Sequence, residues 1–226
     1  MSSSVLVLGN SGTGKSTSIR NLPPEQTFIV NVEGKPLPFR GSAKMYTKLS
    51  SNGLTGNYYC SDDSAAIKRV INLVSSKRPE IKYLVLDDIG FTVMNSYMRS
   101  CMQKGFDKFV TLSADFASII EAALSVRDDL FCFLMMHVDV DENGMTKPAT
   151  VGNAVDKYVK PHAKFTYVLH TTVHDGNYQF VTNNDNLHMC KSPIGCFDQF
   201  IDNDLLLVAN KINEYNNYDS TLEIKE

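Results

Sequence analysis

The chain has 226 residues and a formal net charge of −3, with 43% hydrophobic and 21% charged residues. These values are ordinary for a folded protein, so they exclude a fibre or a disordered chain, and the length favours a single domain over residues 1–226. The net charge excludes a generally basic surface, so any contact to nucleic acid has to come from local basic patches. Five cysteines without paired spacing favour a reducing cytoplasm, and no apolar stretch is long enough to span a membrane.

Apolar runs without alternation recur along the first 136 residues, as expected for strands that are buried on both faces of a parallel sheet. The runs are Val5–Leu8, Thr27–Val32, Tyr83–Leu86 and Leu130–Met136. Between them, apolar residues at 3.6-residue spacing predict helices, the first with a capping signal at Ser61–Asp62. The apolar residues of these helices are Ile67, Val70, Ile71 and Val74; Phe91, Met94, Met98 and Cys101; and Phe109, Leu112, Phe116, Ile119, Ile120 and Ala123. Strands that alternate with helices predict a doubly wound α/β sheet, mostly parallel, with helices on both faces.

The pattern changes after residue 163. The stretch FTYVLHTTV, a turn at residues 175–177 and the stretch YQFVT predict an antiparallel hairpin at one edge of the sheet. A final amphipathic helix is predicted around residues 205–215. Two long segments, 33–57 and 138–164, are predicted to be irregular, and segments of this kind commonly bind partners.

The segment GNSGTGKST at residues 9–17 has the spacing of a phosphate-binding loop. Gly9, Gly14, Lys15 and Ser16 form the Walker A pattern G-x-x-x-x-G-K-S between a predicted buried strand and a short predicted helix. Backbone N–H groups of such a loop converge on a phosphate, its lysine reaches the β- and γ-phosphates of ATP, and its serine binds Mg²⁺. We therefore predict an ATP site formed by Gly9, Asn10, Ser11, Gly12, Thr13, Gly14, Lys15, Ser16 and Thr17. The alternative is an ordinary glycine turn.

Three acids are candidates for the chemistry that follows ATP binding. Asp87 comes directly after the apolar run YLVL and is the candidate Mg²⁺ ligand, expected at the carboxyl end of a strand next to the loop. Glu33 follows the strand FIVNV and is the first candidate to orient or deprotonate the attacking water, with Asp88 as the second. Alternatively, Asp88 caps the helix that begins near Phe91, and Glu33 is a solvated loop acid.

Seven segments, distributed over most of the chain, carry a further signal: GNSGTGKSTSIRNL, NVEGKPLPFRG, VLDD, KGFDKF, FTYVLHT, VTNNDN and KSPIG. Together they resemble the phage-encoded RecA-like ATPases of the Sak single-strand-annealing type. The resemblance implies a RecA-like P-loop core that acts in phage recombination in the cytoplasm of a bacterial host, beside a single-strand-binding protein. It also implies that Glu33 is the catalytic glutamate, that His137 senses the γ-phosphate, and that Lys191 reaches the γ-phosphate of a neighbouring subunit in a homo-oligomer. Alternatively, His137 is a strand-end histidine and Lys191 a loop lysine, both exposed to water.

Both long segments contain basic side chains among aromatic ones, a combination that suits single-stranded DNA. In the first segment these are Lys35, Arg40, Lys44 and Lys48, with Phe39 and Tyr46 available for stacking, and in the second they are Lys157, Lys160, His162 and Lys164. A solvated surface is the alternative for each of them.

The function that we expect is an ATPase whose ATP-bound state organises single-stranded DNA binding, annealing or strand exchange. One alternative is a P-loop kinase that transfers the γ-phosphate to a small molecule. It is less favoured because the segment 138–164 contains no arginine that could close over the phosphates. Another alternative is a nucleotide-gated DNA-binding module with negligible turnover.

Overall fold

A computed structural model of the chain describes residues 4–102, 104–150 and 158–217. Its main sheet has eight strands: β1 Ser4–Leu8, β2 Thr27–Asn31, β3 Tyr58–Cys60, β4 Tyr83–Asp87, β5 Phe131–Met136, β8 Tyr167–His174, β9 Asn177–Val181 and β10 Phe200–Asp202. The order across the sheet is β10-β9-β8-β1-β5-β4-β2-β3. Two further strands, β6 Val138–Val140 and β7 Thr146–Pro148, form a separate antiparallel pair.

The helices differ in length and type. Two 3₁₀ helices span Ser16–Asn21 and Pro24–Gln26, and the α-helices are α1 Ser42–Met45, α2 Ser64–Lys77, α3 Phe91–Ser100, α4 Asp107–Leu124, α5 Pro161–Lys164 and α6 Leu205–Asn216. Within the described ranges, none of them combines the length and apolar character needed to cross a membrane.

The predicted α/β architecture, a mostly parallel sheet with an antiparallel hairpin at one edge, is confirmed. The six strands from β8 to β3 in the sheet order are mutually parallel, and β9 runs antiparallel to both β8 and β10. In the parallel register, Leu8 of β1 lies opposite both Met136 of β5 and His170 of β8, while Asn31 of β2 lies opposite Asp87 of β4. The segments that follow these strands therefore meet at one edge of the sheet, which is where ligands bind in open α/β folds.

The central strands read as continuous apolar runs because both faces of the sheet are covered. In β1, Leu6 and Leu8 pack into a core that includes residues of α2 and α4, whereas Val5 and Val7 pack on the opposite face with residues of α6. All four side chains have no exposed area. Burying an aliphatic side chain contributes roughly 1.5–3 kcal/mol, so a polar substitution at any of these four positions would destabilise the core that its side chain faces.

Two predictions about the helices, the cap of α2 and the buried face of α3, were wrong. The cap of α2 is Asp63, whose carboxylate accepts a hydrogen bond of 2.6 Å from the Ala66 amide, and not the Ser61–Asp62 pair. The helix α3 forms as predicted, but its apolar spacing does not mark the buried face. Met94 and Met98 are 45% and 63% exposed, and the buried positions are Thr92 and Val93.

The two segments predicted to be irregular contain short regular elements. The first segment, 33–57, includes α1, and β3 begins at the residue after this segment. The second segment, 138–164, includes the β6–β7 pair and α5. Strands of three residues are too short to show a hydrophobic period, so the sequence pattern does not reveal them. The turn between β6 and β7 is held by the Asp141 carboxylate, which accepts from the Asn143 and Met145 amides at 2.9 Å.

Candidate functional site

The Walker A segment connects β1 to the first 3₁₀ helix, and its lysine folds back on the loop. Lys15 Nζ donates to the carbonyl oxygens of Gly9 at 2.9 Å and Asn10 at 3.1 Å, and the residue is only 5% exposed. Burial lowers the pKa of the Lys15 ammonium, while the carboxylates of Asp88 and Asp87 act in the opposite direction. The lysine therefore lies inside the loop, held by two carbonyl groups that an anion could replace.

The loop presents backbone N–H groups toward the same space. In the described part of the chain, the amides of Ser11, Gly12 and Gly14 have no hydrogen-bond acceptor. Gly12 and Gly14 adopt φ values of +78° and +101°, which strongly favour glycine. Successive free amides in such a turn form a concave site for an anion. The helix that follows is a six-residue 3₁₀ helix, so the amides and Lys15, rather than a long helix dipole, supply the positive charge.

Ser16 and Asp87, the two candidate metal ligands, are in direct contact. Ser16 Oγ donates to Asp87 Oδ1 at 3.0 Å. The expectation that the strand bearing Asp87 neighbours β1 was wrong, because β5 lies between β1 and β4. The contact still forms because the Walker A loop carries Ser16 past the end of β5 to the carboxyl end of β4.

Asp87 has the environment of a carboxylate that needs a cation. It is 4% exposed, and burial together with the neighbouring Asp88 raises its pKa to about 6, against the opposing effects of Ser16, Lys15 and His137. Mg²⁺ prefers oxygen ligands and usually takes only one or two from the protein, with phosphate oxygens and water completing the shell. No group of three or more His, Cys, Asp or Glu side chains that could hold a metal ion exists among residues 4–102, 104–150 and 158–217. Ser16 and Asp87 therefore fit Mg²⁺ that arrives with a polyphosphate better than an ion held by protein alone.

Asp88 lies at the end of β4 in a strained conformation. Its φ of +58° is in the left-handed region, which costs a non-glycine residue roughly 1–3 kcal/mol and persists only where the surrounding structure enforces it. His137 Nε2 lies 3.2 Å from Asp88 Oδ1. Burial acts to raise the pKa of Asp88, but His137, Lys15 and Lys35 hold the pKa below its usual value. The side chain does not cap α3, whose N-cap position is Gly90 without a side-chain bond, so that alternative was wrong.

Glu33, the first candidate for the catalytic acid, points elsewhere. Its carboxylate accepts a hydrogen bond from Asn95 Nδ2 at 3.3 Å and lies 3.7 Å from Lys35 Nζ. Asn95 is in turn bonded to Asp62 at 3.0 Å. Glu33 is thus hydrogen-bonded to α3 and, unlike Asp88, does not line the cavity beside the Walker A loop.

These groups surround a cavity of about 710 Å³. Ten of the predicted site residues line it: Asn10, Ser11, Gly12, Gly14, Lys15, Ser16, Thr17, Asp87, Asp88 and His137. Five lining residues were not predicted as site residues from the sequence: Asn31, Pro36, Pro38, Phe91 and Tyr178. A sixth, Lys35, was predicted to contact single-stranded DNA. Four predicted residues do not line the cavity: Gly9 and Thr13, which support the loop, and Glu33 and Lys191.

Lys191 lies away from the cavity of its own chain. Its backbone pairs with Val168 of β8, with N–H to O distances of 2.8 and 3.0 Å, and its side chain is exposed. An exposed position is compatible with a role in a neighbouring subunit and equally with a solvated lysine, so the prediction stays untested.

The predicted nucleic-acid residues do not all remain available. Tyr46 is a core residue, 7% exposed, with Phe39 packed edge-on against it at 6.3 Å, so its assignment to base stacking was wrong. Its burial follows from the short helix α1, which the sequence pattern did not reveal. Lys164 lies 3.6 Å from Glu121. Arg40, Lys44, Lys48 and Lys160 are exposed, His162 is partly buried, and Lys157 lies outside the described residues.

No family model matches the sequence, and a search of curated proteins found none that is significantly similar.

Proposed function

We propose that this protein is a RecA-like P-loop ATPase that binds ATP with Mg²⁺ and uses the ATP-bound state to organise single-stranded DNA binding, annealing or strand exchange. The observation that carries the first half of the proposal is the hydrogen bond of 3.0 Å between Ser16 of the Walker A loop and Asp87 at the end of β4. A glycine turn without function has no reason to bring its serine to a buried acid 71 residues further along the chain.

The proposed roles follow from the position of each group. The loop amides and Lys15 would hold the phosphates, and Ser16 and Asp87 would hold Mg²⁺, whose chemistry is to neutralise charge on phosphate oxygens. Asp88 or Glu33 orients the attacking water. Asp88 has the better position in this arrangement because it lines the cavity, whereas Glu33 would have to leave Asn95. His137 would respond to the terminal phosphate through its contact with Asp88.

The second half of the proposal rests on the family resemblance and on exposed basic residues. Arg40, Lys44 and Lys48 lie within one segment that leads away from the cavity wall. Charge of this kind contributes sequence-independent, salt-sensitive affinity for single strands. The resemblance adds a homo-oligomer with Lys191 acting across the subunit interface, a single-strand-binding protein as partner, and the cytoplasm of a bacterial host as location.

The test is ATP turnover by the full chain with and without single-stranded DNA, and with candidate small-molecule acceptors. Lys15→Ala should reduce turnover by about 100-fold or more, because removing one preorganised donor from a site of developing charge costs that much. The matched control is Lys77→Ala, which removes an exposed lysine at the end of α2.

Each class of function has its own outcome. Turnover that single-stranded DNA stimulates supports the recombination ATPase, and turnover that requires a small acceptor identifies a kinase. Tight ATP binding with no turnover under any condition identifies a nucleotide-gated module. If the wild-type protein does not bind ATP, or if Lys15→Ala binds it as well as Lys77→Ala does, the proposal is wrong.

A further inference from the structure

Lys35 is held over the cavity by a local structure that its sequence position alone does not suggest. Asn31, the last residue of β2 and only 2% exposed, accepts a hydrogen bond of 2.8 Å from the Gly34 amide and donates one of 2.9 Å to the Lys35 carbonyl oxygen. Gly34 has a φ of +66°, which allows the chain to turn back at this point. The buried amide of Asn31 therefore fixes the turn from which the Lys35 side chain extends.

The Lys35 ammonium is close to the reacting end of the proposed site. Its Nζ lies 5.3 Å from the centre of the Phe91 ring and 3.7 Å from Glu33 Oε2, and Lys35 and Phe91 both line the cavity. Its charge is felt by Lys15, whose pKa it helps to lower, and by Asp88, whose pKa it helps to hold down. Lys35 thus belongs electrostatically to the phosphate site.

The contacts that hold the ammonium are weak. The Lys35 side chain is 63% exposed, and an exposed ion pair such as that with Glu33 contributes little to stability. A phosphate group with multiple charges competes easily with a single carboxylate for this cation. The cost of turning Lys35 from Glu33 toward a ligand in the cavity is therefore small.

We propose that Lys35 is a second phosphate-binding cation, which contacts the terminal phosphate from within the same chain and distinguishes a nucleoside triphosphate from a diphosphate. The inference rests on the proposed nucleotide-binding function and deepens it. The loop amides line the part of the cavity in which the inner phosphates would bind, and Lys15 would reach from there toward the terminal phosphate. Lys35 lies on the side of Phe91, which is also the side of His137 and Asp88, where a third phosphate would extend. In this proposal Lys35 contacts the nucleotide and not single-stranded DNA.

The experiment measures the affinities of wild type, Lys35→Met, Lys35→Arg and Lys77→Met for Mg·ADP and for a slowly hydrolysed Mg·ATP analogue. A charge-assisted contact contributes ~1.5–3 kcal/mol, so Lys35→Met should weaken analogue binding about tenfold or more and ADP binding by less than about twofold. Lys35→Arg keeps the charge and should stay within about threefold of wild type for both ligands. Lys77→Met, which loses an exposed lysine outside the cavity, should change neither affinity. Thermal unfolding of each variant establishes that it is folded.

The outcomes separate this inference from the function on which it rests. Equal loss of ADP and analogue affinity in Lys35→Met would mean that Lys35 only shapes the loop, and no loss would mean that it does not contact the ligand. If Lys35→Met loses salt-dependent affinity for single-stranded DNA while its nucleotide selectivity is unchanged, Lys35 contacts DNA and not the terminal phosphate. Each of these results overturns the inference while leaving nucleotide binding intact. If the wild-type protein binds neither nucleotide, both proposals fall.

Discussion

Gly9→Ala tests whether the Walker A loop is positioned by its contact with β8. A Cβ atom at residue 9 would lie 1.8 Å from Thr171 Oγ1 and 2.9 Å from Thr13 Oγ1, so either the Thr171 side chain or the Walker A loop has to move. Overpacking of this kind costs ~1–3 kcal/mol, which for a chain of this length lowers the melting temperature by roughly 2–12 °C. The shift also displaces the Gly9 carbonyl that holds Lys15 and the Gly9 amide that donates to Met136. We expect ATP affinity to fall at least ~10-fold, which corresponds to ~1.4 kcal/mol.

A double-mutant cycle with Thr171→Ala isolates the steric cause. Thr171→Ala alone loses the Thr171 hydroxyl contacts with Thr13 Oγ1 at 2.5 Å and with the Leu8 carbonyl at 3.3 Å, at a cost of about 1 kcal/mol. It also removes the atom that the new Cβ meets first, so the double variant should be more stable than the two single effects predict by ~1–2 kcal/mol. Gly12→Ala is the control, because no atom of the described residues lies within 4 Å of its Cβ position and its φ of +78° is the unfavourable feature. Thermal or urea unfolding gives the four stabilities. Strict additivity of Gly9→Ala and Thr171→Ala would refute the steric argument.

Three further predictions concern His170, the two candidate catalytic acids and Lys191. His170 is 3% exposed, and burial, followed by the neighbouring His188, lowers its pKa from 6.5 to about 4. The unfolded chain therefore binds this proton first, and the free energy of unfolding should fall by about 2 kcal/mol as the pH is lowered from 7 to 5 and by about 3 kcal/mol at pH 4. Urea titrations should show this loss in wild type and not in His170→Phe; an equal loss in both would contradict it. Asp88→Asn should reduce single-turnover ATP cleavage more than Glu33→Gln does if Asp88 orients the water, and the reverse ranking would restore Glu33 to that role. Lys191→Ala mixed with whichever of Asp88→Asn and Glu33→Gln proves inactive should regain activity if Lys191 acts across a subunit interface, and no recovery on mixing would remove that assignment.

Much of the architecture could be predicted because strands that are buried on both faces of a sheet are continuous apolar runs in the sequence. β1, β2, β4 and β5 were found as apolar runs, and the β8–β9 hairpin was found from its turn residues. The sheet order could not be predicted, because these strands have the same apolar pattern. That pattern does not indicate that β5 lies between β1 and β4. Short elements such as β3 and β10 escaped because three residues carry no period.

The candidate site divides in the same way. Residues within one continuous motif, or directly after a buried strand, were predicted because local sequence determines both their chemistry and their place. Tyr178 was missed because it reaches the Walker A loop only through the hairpin, where its ring would contact a Cβ placed on Gly14. Phe91 was assigned to a helix stripe, and its role as the surface beneath Lys35 depends on how α3 lies across the end of β2. Such contacts are products of topology, so a single sequence gives no signal for them.

The charges of the cavity explain why a metal–polyphosphate, and not a metal or an anion alone, is the ligand that we propose. Two ammonium groups, Lys15 and Lys35, act on each other across one cavity, and each is held by protein oxygen atoms. Two adjacent carboxylates, Asp87 and Asp88, line the same cavity, and burial together with Asp88 raises the pKa of the deeper one, Asp87. A bare cation would relieve the carboxylates and add to the positive charge around the lysines, while a bare anion would do the reverse. A triphosphate with bound Mg²⁺ presents negative oxygens to the lysines and a cation to Asp87, so it satisfies both sets of groups at once.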